Sequence, residues 1–154
     1  MKIIEFREEY QDDILALHRE ALERIGAYAG EGPWDSDLYS IRQTYIDNSG
    51  SFILGITDGT LIAMGALRKI DSTIAEITRM RVKPAHQGRG HGTAILERLL
   101  KESADRGYVK ITLETSTLQV PAQRLYRKYG FQEAGRGELK GFNVIYYEKI
   151  LDSR

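Results

Sequence analysis

Cysteine is absent from this 154-residue sequence, and histidine is scarce. Without cysteine the chain has no disulfide, no cysteine–metal site and no cysteine nucleophile. The three histidines, His18, His86 and His91, are scattered along the sequence, so we predict no metal site. Net charge is also absent, because 22 basic residues balance 22 acidic ones. This balance argues against nucleic acid or an anionic membrane as a partner.

Long apolar runs are missing as well. A membrane-spanning helix needs about 18 or more consecutive apolar residues, and the sequence has no such run. The N-terminal stretch MKIIEFREEY lacks the apolar centre of a signal peptide. We therefore expect a cytoplasmic protein. With 42% of its residues hydrophobic, the chain has the size and the core of one domain, residues 1–154.

Apolar spacing and turn signals predict an α+β fold with the element order β-α-α-β-β-β-α-β-α-β-β. Asp58-Gly59 is the turn of a predicted hairpin. We expect a mixed, largely antiparallel sheet of about seven strands with one parallel βαβ unit, flanked by about four helices. The predicted strands are 2–6, 51–57, 60–69, 74–83, 109–115, 131–134 and 143–151, the helices are 10–25, about 35–46, 92–106 and 121–129, and 135–141 connects the last two strands.

A glycine-rich turn precedes the third predicted helix. Gly88, Gly90 and Gly92 alternate there, directly after a strand. The unpaired N–H groups and the dipole at a helix start attract anions, and glycine lets the backbone approach a phosphate. Basic residues between positions 79 and 89 would suit a small anionic ligand. We therefore predict a site for a phosphorylated cofactor.

Two other interpretations apply to the same turn. A dinucleotide-binding fingerprint needs Gly-x-Gly-x-x-Gly, whereas this turn reads Gly-x-Gly-x-Gly after a highly charged strand. The turn also matches an ordinary strand-to-helix connection with surplus glycines. Three alternate glycines at a helix start favour the anion site over both.

Two motifs carry a resemblance to a known family. Gln87-Gly88-Arg89-Gly90-His91-Gly92 resembles Arg/Gln-x-x-Gly-x-Gly/Ala, and Gln119–Phe131 resembles Asn-x-x-Ala-x-x-Leu-Tyr-x-x-x-Gly-Phe. In this order and on these elements, the chain resembles the GNAT superfamily of acyl-CoA N-acyltransferases. It departs from the second motif at Gln119, where asparagine is usual, and at Pro121. The resemblance covers about 2–150 and is specific over 74–131.

The resemblance implies acetyl-CoA as the cofactor. The loop Gln87–Gly92 would wrap the pyrophosphate, and the main chain at Met80 and Val82 would bind the pantetheine arm and polarise the thioester carbonyl. The side chains of Met80 and Val82 also suit core packing. The implied cofactor-binding residues are Met80, Arg81, Val82, Gln87, Gly88, Arg89, Gly90, His91, Gly92, Thr93, Gln119, Ala122, Leu125 and Tyr126.

Tyr126 and Glu76 are the catalytic candidates. The resemblance makes Tyr126 the general acid that protonates the departing thiolate, although it also lies on the apolar face of its helix. Glu76 would accept a proton from the acceptor amine, which must be neutral to attack. Alternatively, Glu76 is a solvated strand charge or an ion-pair partner of Arg79 or Lys83.

Four residues are candidates for acceptor binding: Tyr28, Trp34, Asp35 and Glu114, with Asp37 as a further acidic candidate in the same loop. A loop that carries aromatic and acidic residues suits a cationic amine. The alternatives are a helix cap at Asp35, a loop pinned to the core by Trp34, and an exposed strand-end charge at Glu114. No motif in this loop predicts which amine is bound.

The resemblance implies an N-acetyltransferase that transfers an acetyl group from acetyl-CoA to a primary amine by direct attack in a ternary complex. The acceptor is expected to be a small molecule or a peptide amine, and the enzyme a monomer or a homodimer. The alternative is an acyl-CoA-binding sensor or interaction module with the same fold and little turnover, against which Tyr126 argues.

Overall fold

A computed structural model describes residues 1–151, and residues 152–154 of the predicted domain lie outside the described part. The strands are β1 Lys2–Glu5, β2 Ser51–Thr57, β3 Thr60–Lys69, β4 Ile74–Val82, β5 Lys110–Ser116, β6 Gln132–Leu139 and β7 Phe142–Ile150. The helices are α1 Gln11–Glu23, α2 Ile41–Thr44, α3 His91–Asp105 and α4 Val120–Lys128, and the 3-10 segments are Glu8–Tyr10, Pro33–Tyr39, Ile46–Asn48 and Pro84–His86.

The seven strands form one mixed sheet in the order β1-β2-β3-β4-β5-β7-β6. Only the β4–β5 pair in this described sheet is parallel, and α3 connects its two strands. The predicted α+β architecture with one βαβ unit is therefore confirmed. The β2–β3 hairpin is also confirmed, because Asp58 and Gly59 have φ values of 50° and 77°, as a type I′ turn requires.

The sheet opens between β4 and β5. Their pairing joins Ile74–Glu76 to Lys110–Thr112, over three residue pairs. Within the described chain β4 then runs on to Val82 and β5 to Ser116 without further pairing to each other. The parts of β4 and β5 beyond this pairing line one cavity.

Apolar residues cover both faces of the sheet. Ile95, Leu96 and Leu99 of α3 belong to one buried cluster, and Ile14 and Leu17 of α1 belong to another. Both helices pack on β3 and β4. Because successive side chains of a strand point to opposite faces, Phe52, Ile53 and Leu54 of β2 alternate between the two clusters. Strand β4 lies between the two helix layers.

The predicted helix over 35–46 is wrong. The chain instead forms the 3-10 segment Pro33–Tyr39, the single-turn α2 and a further 3-10 turn. The reason is that the side chains of Asp35 and Asp37 bind Arg79 of β4 rather than capping a helix. These long-range contacts override the local preference for a longer helix.

The end of the sheet also differs from the prediction. Residues 135–139 continue β6 instead of forming a loop, and β7 lies inside the sheet between β5 and β6. Gly137 lets the Tyr146 ring lie close against β6, because a Cβ there would be 3.2 Å from the ring. The apolar side chains of β7 are therefore partly covered within the chain. Among the helices of residues 1–151, none is long and apolar enough to cross a membrane.

Candidate active site

The start of α3 has the properties of a phosphate site. Gly90 is the N-cap with a φ of 84°, and Gly88 has a φ of 77°, so both adopt the left-handed conformation that glycine tolerates best. No side chain of residues 1–151 caps the helix. At Gly92 a Cβ would lie 3.6 Å from Val82 Cγ2, so the glycine leaves open space beside the helix start. The N–H groups of the first turn have no partner within the helix and remain for an anion.

A cleft of about 410 Å³ extends from this turn along β4 to the start of α4, and we call it the cofactor cleft. It contains every predicted cofactor-binding residue except Arg89, which is exposed and lies outside the lining. The Gln87 side chain donates a hydrogen bond to the Val82 carbonyl over 3.2 Å and so ties the turn back to the strand. The residues of the resemblance therefore form one continuous surface.

A second cavity, of about 400 Å³, lies on the other side of β4. All four predicted acceptor-binding residues line it, together with Glu76. Tyr28 and Trp34 come from the segment after α1, and Glu114 comes from β5 beyond its pairing with β4. We call this space the acceptor cavity.

The cofactor cleft and the acceptor cavity share part of their lining. Five residues belong to both: Leu22, Met80, Arg81, Gln119 and Tyr126. A group held in the cleft and a group held in the cavity would meet here. The arrangement suits the transfer of a chemical group between two separately bound molecules.

Tyr126 lies at this junction. Its side chain is buried, and its hydroxyl donates a hydrogen bond to Met80 Sδ at 3.7 Å. The ring packs edge-to-face on Phe131 with centroids 5.9 Å apart. Burial raises the pKa of Tyr126 to about 12, and the charge of Arg81 opposes the rise. The phenol is therefore protonated throughout the physiological pH range.

Strand β4 contains a bulge opposite Gly65. The register steps from Met64↔Arg81 to Ala66↔Thr78, so that two residues of β4, Arg79 and Met80, face one residue of β3. Arg79 has a φ of 58°, which costs a non-glycine residue about 1 kcal/mol. The bulge turns the Arg79 side chain away from the normal strand alternation.

Arg79 binds the segment Pro33–Tyr39. Its Nη1 donates to Asp35 Oδ1 over 2.9 Å, its Nε donates to Asp37 Oδ2 over 3.0 Å, and its Nη2 donates to the Trp34 carbonyl over 2.8 Å. Burial favours the neutral form of Asp37, but hydrogen bonds from Arg79 and its charge bring the net pKa of that carboxyl below its usual value. One guanidinium thus fixes three polar groups of this segment at the wall of the acceptor cavity.

Two more side chains complete this network. His18 Nε2 lies 3.1 Å from Asp35 Oδ2, and the Tyr45 hydroxyl donates to Asp37 Oδ2 over 2.5 Å. Burial, together with the charge of Arg81, lowers the pKa of His18 to about 4. The ring is neutral at physiological pH and donates from Nε2, since a carboxylate can only accept. The sequence prediction missed His18, although a histidine on the apolar face of α1 was a signal.

Two carboxylates face the acceptor cavity at the point where β4 and β5 separate. Glu76 accepts hydrogen bonds from Arg68 at 3.0 and 3.1 Å, so its partner is neither Arg79 nor Lys83. Glu114 forms no ion pair with any residue that the structure describes. Glu114 is exposed at the strand end. Desolvation beside the cavity wall, and then the charge of Glu76, raise the pKa of its carboxyl.

Comparison with known proteins agrees with the predicted resemblance. A model of the acetyltransferase (GNAT) family matches residues 8–131. Rat N-acetyltransferase 8F1 is 30% identical over 112 residues, which are 70% of this chain and 51% of that protein. The chain therefore spans about half the length of this relative.

Solved structures share the fold. An acetyltransferase of the GNAT family from Staphylococcus aureus superposes with a TM-score of 0.90 at 20% identity, covering 98% of this chain and 99% of that one. A putative acetyltransferase from Salmonella typhimurium, yncA, solved with its cofactor acetyl-CoA, gives a TM-score of 0.80 at 20% identity over 100% and 95% of the two chains. At these identities the likeness establishes the fold.

Proposed function

Because the chain belongs to the acetyltransferase (GNAT) family, we propose that it transfers an acetyl group from acetyl-CoA to a primary amine by direct attack. Acetyl-CoA is the cofactor of this family, as the sequence predicted. The observation that carries the proposal is the shared lining of the cofactor cleft and the acceptor cavity at Met80, Arg81 and Tyr126. An acyl donor and an amine held on either side would be in contact there.

The cofactor cleft suits coenzyme A. The uncapped start of α3 would hold the pyrophosphate through main-chain N–H groups, with Gly88, Gly90 and Gly92 admitting the close approach. The bulged main chain at Met80 and the strand end at Val82 would hold the pantetheine arm. When bound, acetyl-CoA supplies a thioester whose carbonyl carbon gains a C–N bond as its C–S bond breaks.

Tyr126 would act as the general acid. Its hydroxyl would give a proton to the thiolate sulfur, so that CoA leaves as a thiol. A pKa of about 12 keeps this proton in place until the thiolate forms. The nearby charge of Arg81 would stabilise the phenolate that remains. A main-chain N–H at the bulge would stabilise the oxyanion.

The pair Glu76 and Glu114 would bind the incoming ammonium group and take up its proton. We assign the base to Glu114, because Glu76 accepts hydrogen bonds from Arg68, whereas Glu114 has no ion pair among the described residues. Desolvation and the charge of Glu76 raise the pKa of Glu114 and so make it a better proton acceptor. Proton transfer is direct or through one water molecule.

The other predicted acceptor-binding residues have two different proposed roles. Both carboxylate oxygens of Asp35 already bind side chains of the chain itself, Arg79 and His18. We therefore propose that Asp35 positions the cavity wall, whereas Tyr28 and Trp34 contact the acceptor. Trp34 is held by a hydrogen bond from its Nε1 to the Gly30 carbonyl at 3.1 Å.

A thiol-release screen tests the proposal. Acetyl-CoA should raise the melting temperature of the protein, and a broad panel of amines should include acceptors that release free CoA thiol from it. If acetyl-CoA stabilises the protein but no amine releases thiol, the chain is an acyl-CoA sensor. If acetyl-CoA gives no stabilisation, both functions are wrong.

A further inference from the structure

Arg81 is a partly buried cation without a counter-ion among residues 1–151, and it lies at the junction of the two cavities. We propose that its guanidinium binds a carboxylate of the acceptor, so that the acceptor is a small amino carboxylate rather than a simple amine, a lysine side chain or a peptide N-terminus. The proposal rests on the proposed acetyltransferase function and names the substrate class of the same site.

The contacts of Arg81 leave its charge unsatisfied. Nη1 donates to the Met80 carbonyl over 2.8 Å, and Nε is shielded from solvent without a hydrogen-bond partner among residues 1–151. The other two arginines of the acceptor cavity are paired, Arg79 with two aspartates and Arg68 with Glu76. An uncompensated charge in a shielded position is unfavourable unless a ligand completes it.

A second polar group of the acceptor cavity is also unsatisfied. Thr115 Oγ1 is buried, has no partner within the described chain, and belongs to a residue that lines the same cavity. A carboxylate accepts hydrogen bonds from both a guanidinium and a hydroxyl. Arg81 and Thr115 are thus two lining residues of the acceptor cavity with a donor atom that has no partner among the described residues.

The charges around the cavity suit a molecule with both signs. Glu114 and Glu76 supply negative charge where β4 and β5 separate, and Arg81 supplies positive charge beside Tyr126. Burial and the charge of Arg79 lower the pKa of Arg81 to about 10, which leaves it cationic at neutral pH. A carboxylate bound at Arg81 would bring its own amino group to the point where the two cavities meet.

The cofactor itself does not supply the missing anion. Its phosphates belong at the start of α3, and Gly88–Thr93 lie outside the lining of the acceptor cavity. A carboxylate on the acyl group of the donor is the other source with the same chemistry. The position of Arg81 in the acceptor cavity as well as in the cofactor cleft favours the acceptor.

Matched acceptors test the proposal. L-Amino acids and their carboxamides share one carbon skeleton and differ in the charge of one group. With saturating acetyl-CoA, the wild type should use the acids with a kcat/KM at least tenfold above that of the carboxamides. In Arg81→Met this ratio should fall at least about tenfold, through a matching loss of kcat/KM for the acids. Arg81→Lys should keep part of the preference.

Lys69→Met is the matched control. Lys69 is exposed on β3 outside both cavities, and its substitution removes one positive charge as Arg81→Met does. It should leave the acid-to-carboxamide ratio unchanged. Because Arg81→Met deletes an unpaired charge, its melting temperature should equal or exceed that of the wild type. A clear drop in melting temperature would mean that Arg81 serves the fold.

Other results would overturn the proposal. An equal kcat/KM of the wild type for acids and carboxamides would overturn the carboxylate site and leave the acetyltransferase function intact. A preference for succinyl-CoA over acetyl-CoA that disappears in Arg81→Met, with the acceptor ratio unchanged, would assign the carboxylate to the donor. If no amine releases thiol, the proposed acetyltransferase function fails, and the carboxylate site is tested by binding instead. Amino acids should then raise the melting temperature of the CoA-saturated wild type more than that of Arg81→Met. An equal rise in both proteins would overturn the carboxylate site.

Discussion

Tyr126 belongs to the hydrophobic core and to the proposed active site at the same time. Its ring packs on Phe131 and Tyr147, whereas its hydroxyl reaches the junction of the two cavities beside Met80. The core fixes the position of the ring, and burial raises its pKa, so that the hydroxyl carries its proton before any transfer. At the scale of single residues, the apolar-face interpretation and the catalytic interpretation of Tyr126 are therefore compatible.

Removal of the Tyr126 hydroxyl should affect chemistry and leave the fold intact. In Tyr126→Phe we expect kcat to fall about 100-fold, since general acids contribute at least this factor. The stability should change by less than about 1 kcal/mol, because the hydroxyl bonds only to a thioether among the described residues. Steady-state kinetics and acetyl-CoA binding measure the two effects. Tyr129→Phe, outside both cavities, is the control, and an unchanged kcat in Tyr126→Phe would exclude the acid role.

The two carboxylates should respond differently to neutralisation. Glu114→Gln should lower kcat/KM at neutral pH at least tenfold, with partial recovery above about pH 9, where more of the amine is already neutral. Glu76→Gln should keep more activity and shift the acidic limb of the pH profile to lower pH, because Glu76 raises the pKa of Glu114. Complete pH–rate profiles test both. A uniform loss across pH in Glu114→Gln would indicate a structural role.

At the scale of elements, the bulge of β4 organises the acceptor side. Arg79 adopts a left-handed conformation, and its guanidinium is fixed by Asp35, Asp37 and the Trp34 carbonyl. The contacts are made between a strand and a segment more than 40 residues away. The unfavourable backbone is thus stabilised by side-chain contacts that also shape the acceptor cavity.

Loss of the Arg79 charge should destabilise the protein strongly. In Arg79→Met the carboxylates of Asp35 and Asp37 would remain shielded and unpaired, so we expect a loss of about 3–5 kcal/mol. The exposed ion pair of Arg136 with Glu133 gives the comparison, because Arg136→Met should cost less than about 1 kcal/mol. Urea unfolding measures both. Similar losses for the two variants would mean that the Arg79 network contributes little.

At the scale of the whole molecule, sequence patterns predicted what depends on local spacing. Apolar periodicity predicted α1 and α3, and the Asp58-Gly59 turn predicted the β2–β3 hairpin. The segment Pro33–Tyr39 was predicted wrongly, because its conformation depends on Arg79, which is distant in sequence. The same applies to the pairing of Glu76 with Arg68 and to Arg81, which has no counter-ion in the described part of the chain. Local patterns carry no information on such contacts.

His18 should make the stability of the whole protein depend on pH. Desolvation and the charges of Arg81 and Arg79 lower its pKa to about 4, Asp35 opposes them, and the ring of Tyr28 packs edge-to-face on it. In the unfolded chain the pKa is about 6.5, so the unfolded state binds the proton first. The neutral His18 ring therefore contributes fully to the free energy of unfolding above about pH 6.5. This contribution, about 3 kcal/mol in all, is lost as the pH falls towards 4.

His18→Gln tests this prediction. Glutamine does not titrate and still offers an N–H donor to Asp35. The unfolding free energy of the variant should therefore lose about 3 kcal/mol less than that of the wild type between about pH 7 and pH 4. Urea unfolding of both proteins at both pH values measures this difference. The effects of the other titrating groups are the same in the two proteins and cancel when the two are compared. Parallel pH profiles would show that His18 titrates normally in the folded protein.

The shared wall of the two cavities has a consequence for the kinetics. An acyl donor would enter along the start of α3, and an acceptor would enter beside Pro33–Tyr39. Each could therefore bind or leave while the other is bound. The sequence also has no cysteine that could form a covalent acetyl-enzyme intermediate. Initial rates should therefore give intersecting double-reciprocal lines, and the acetylated product should be free to depart while CoA is still bound.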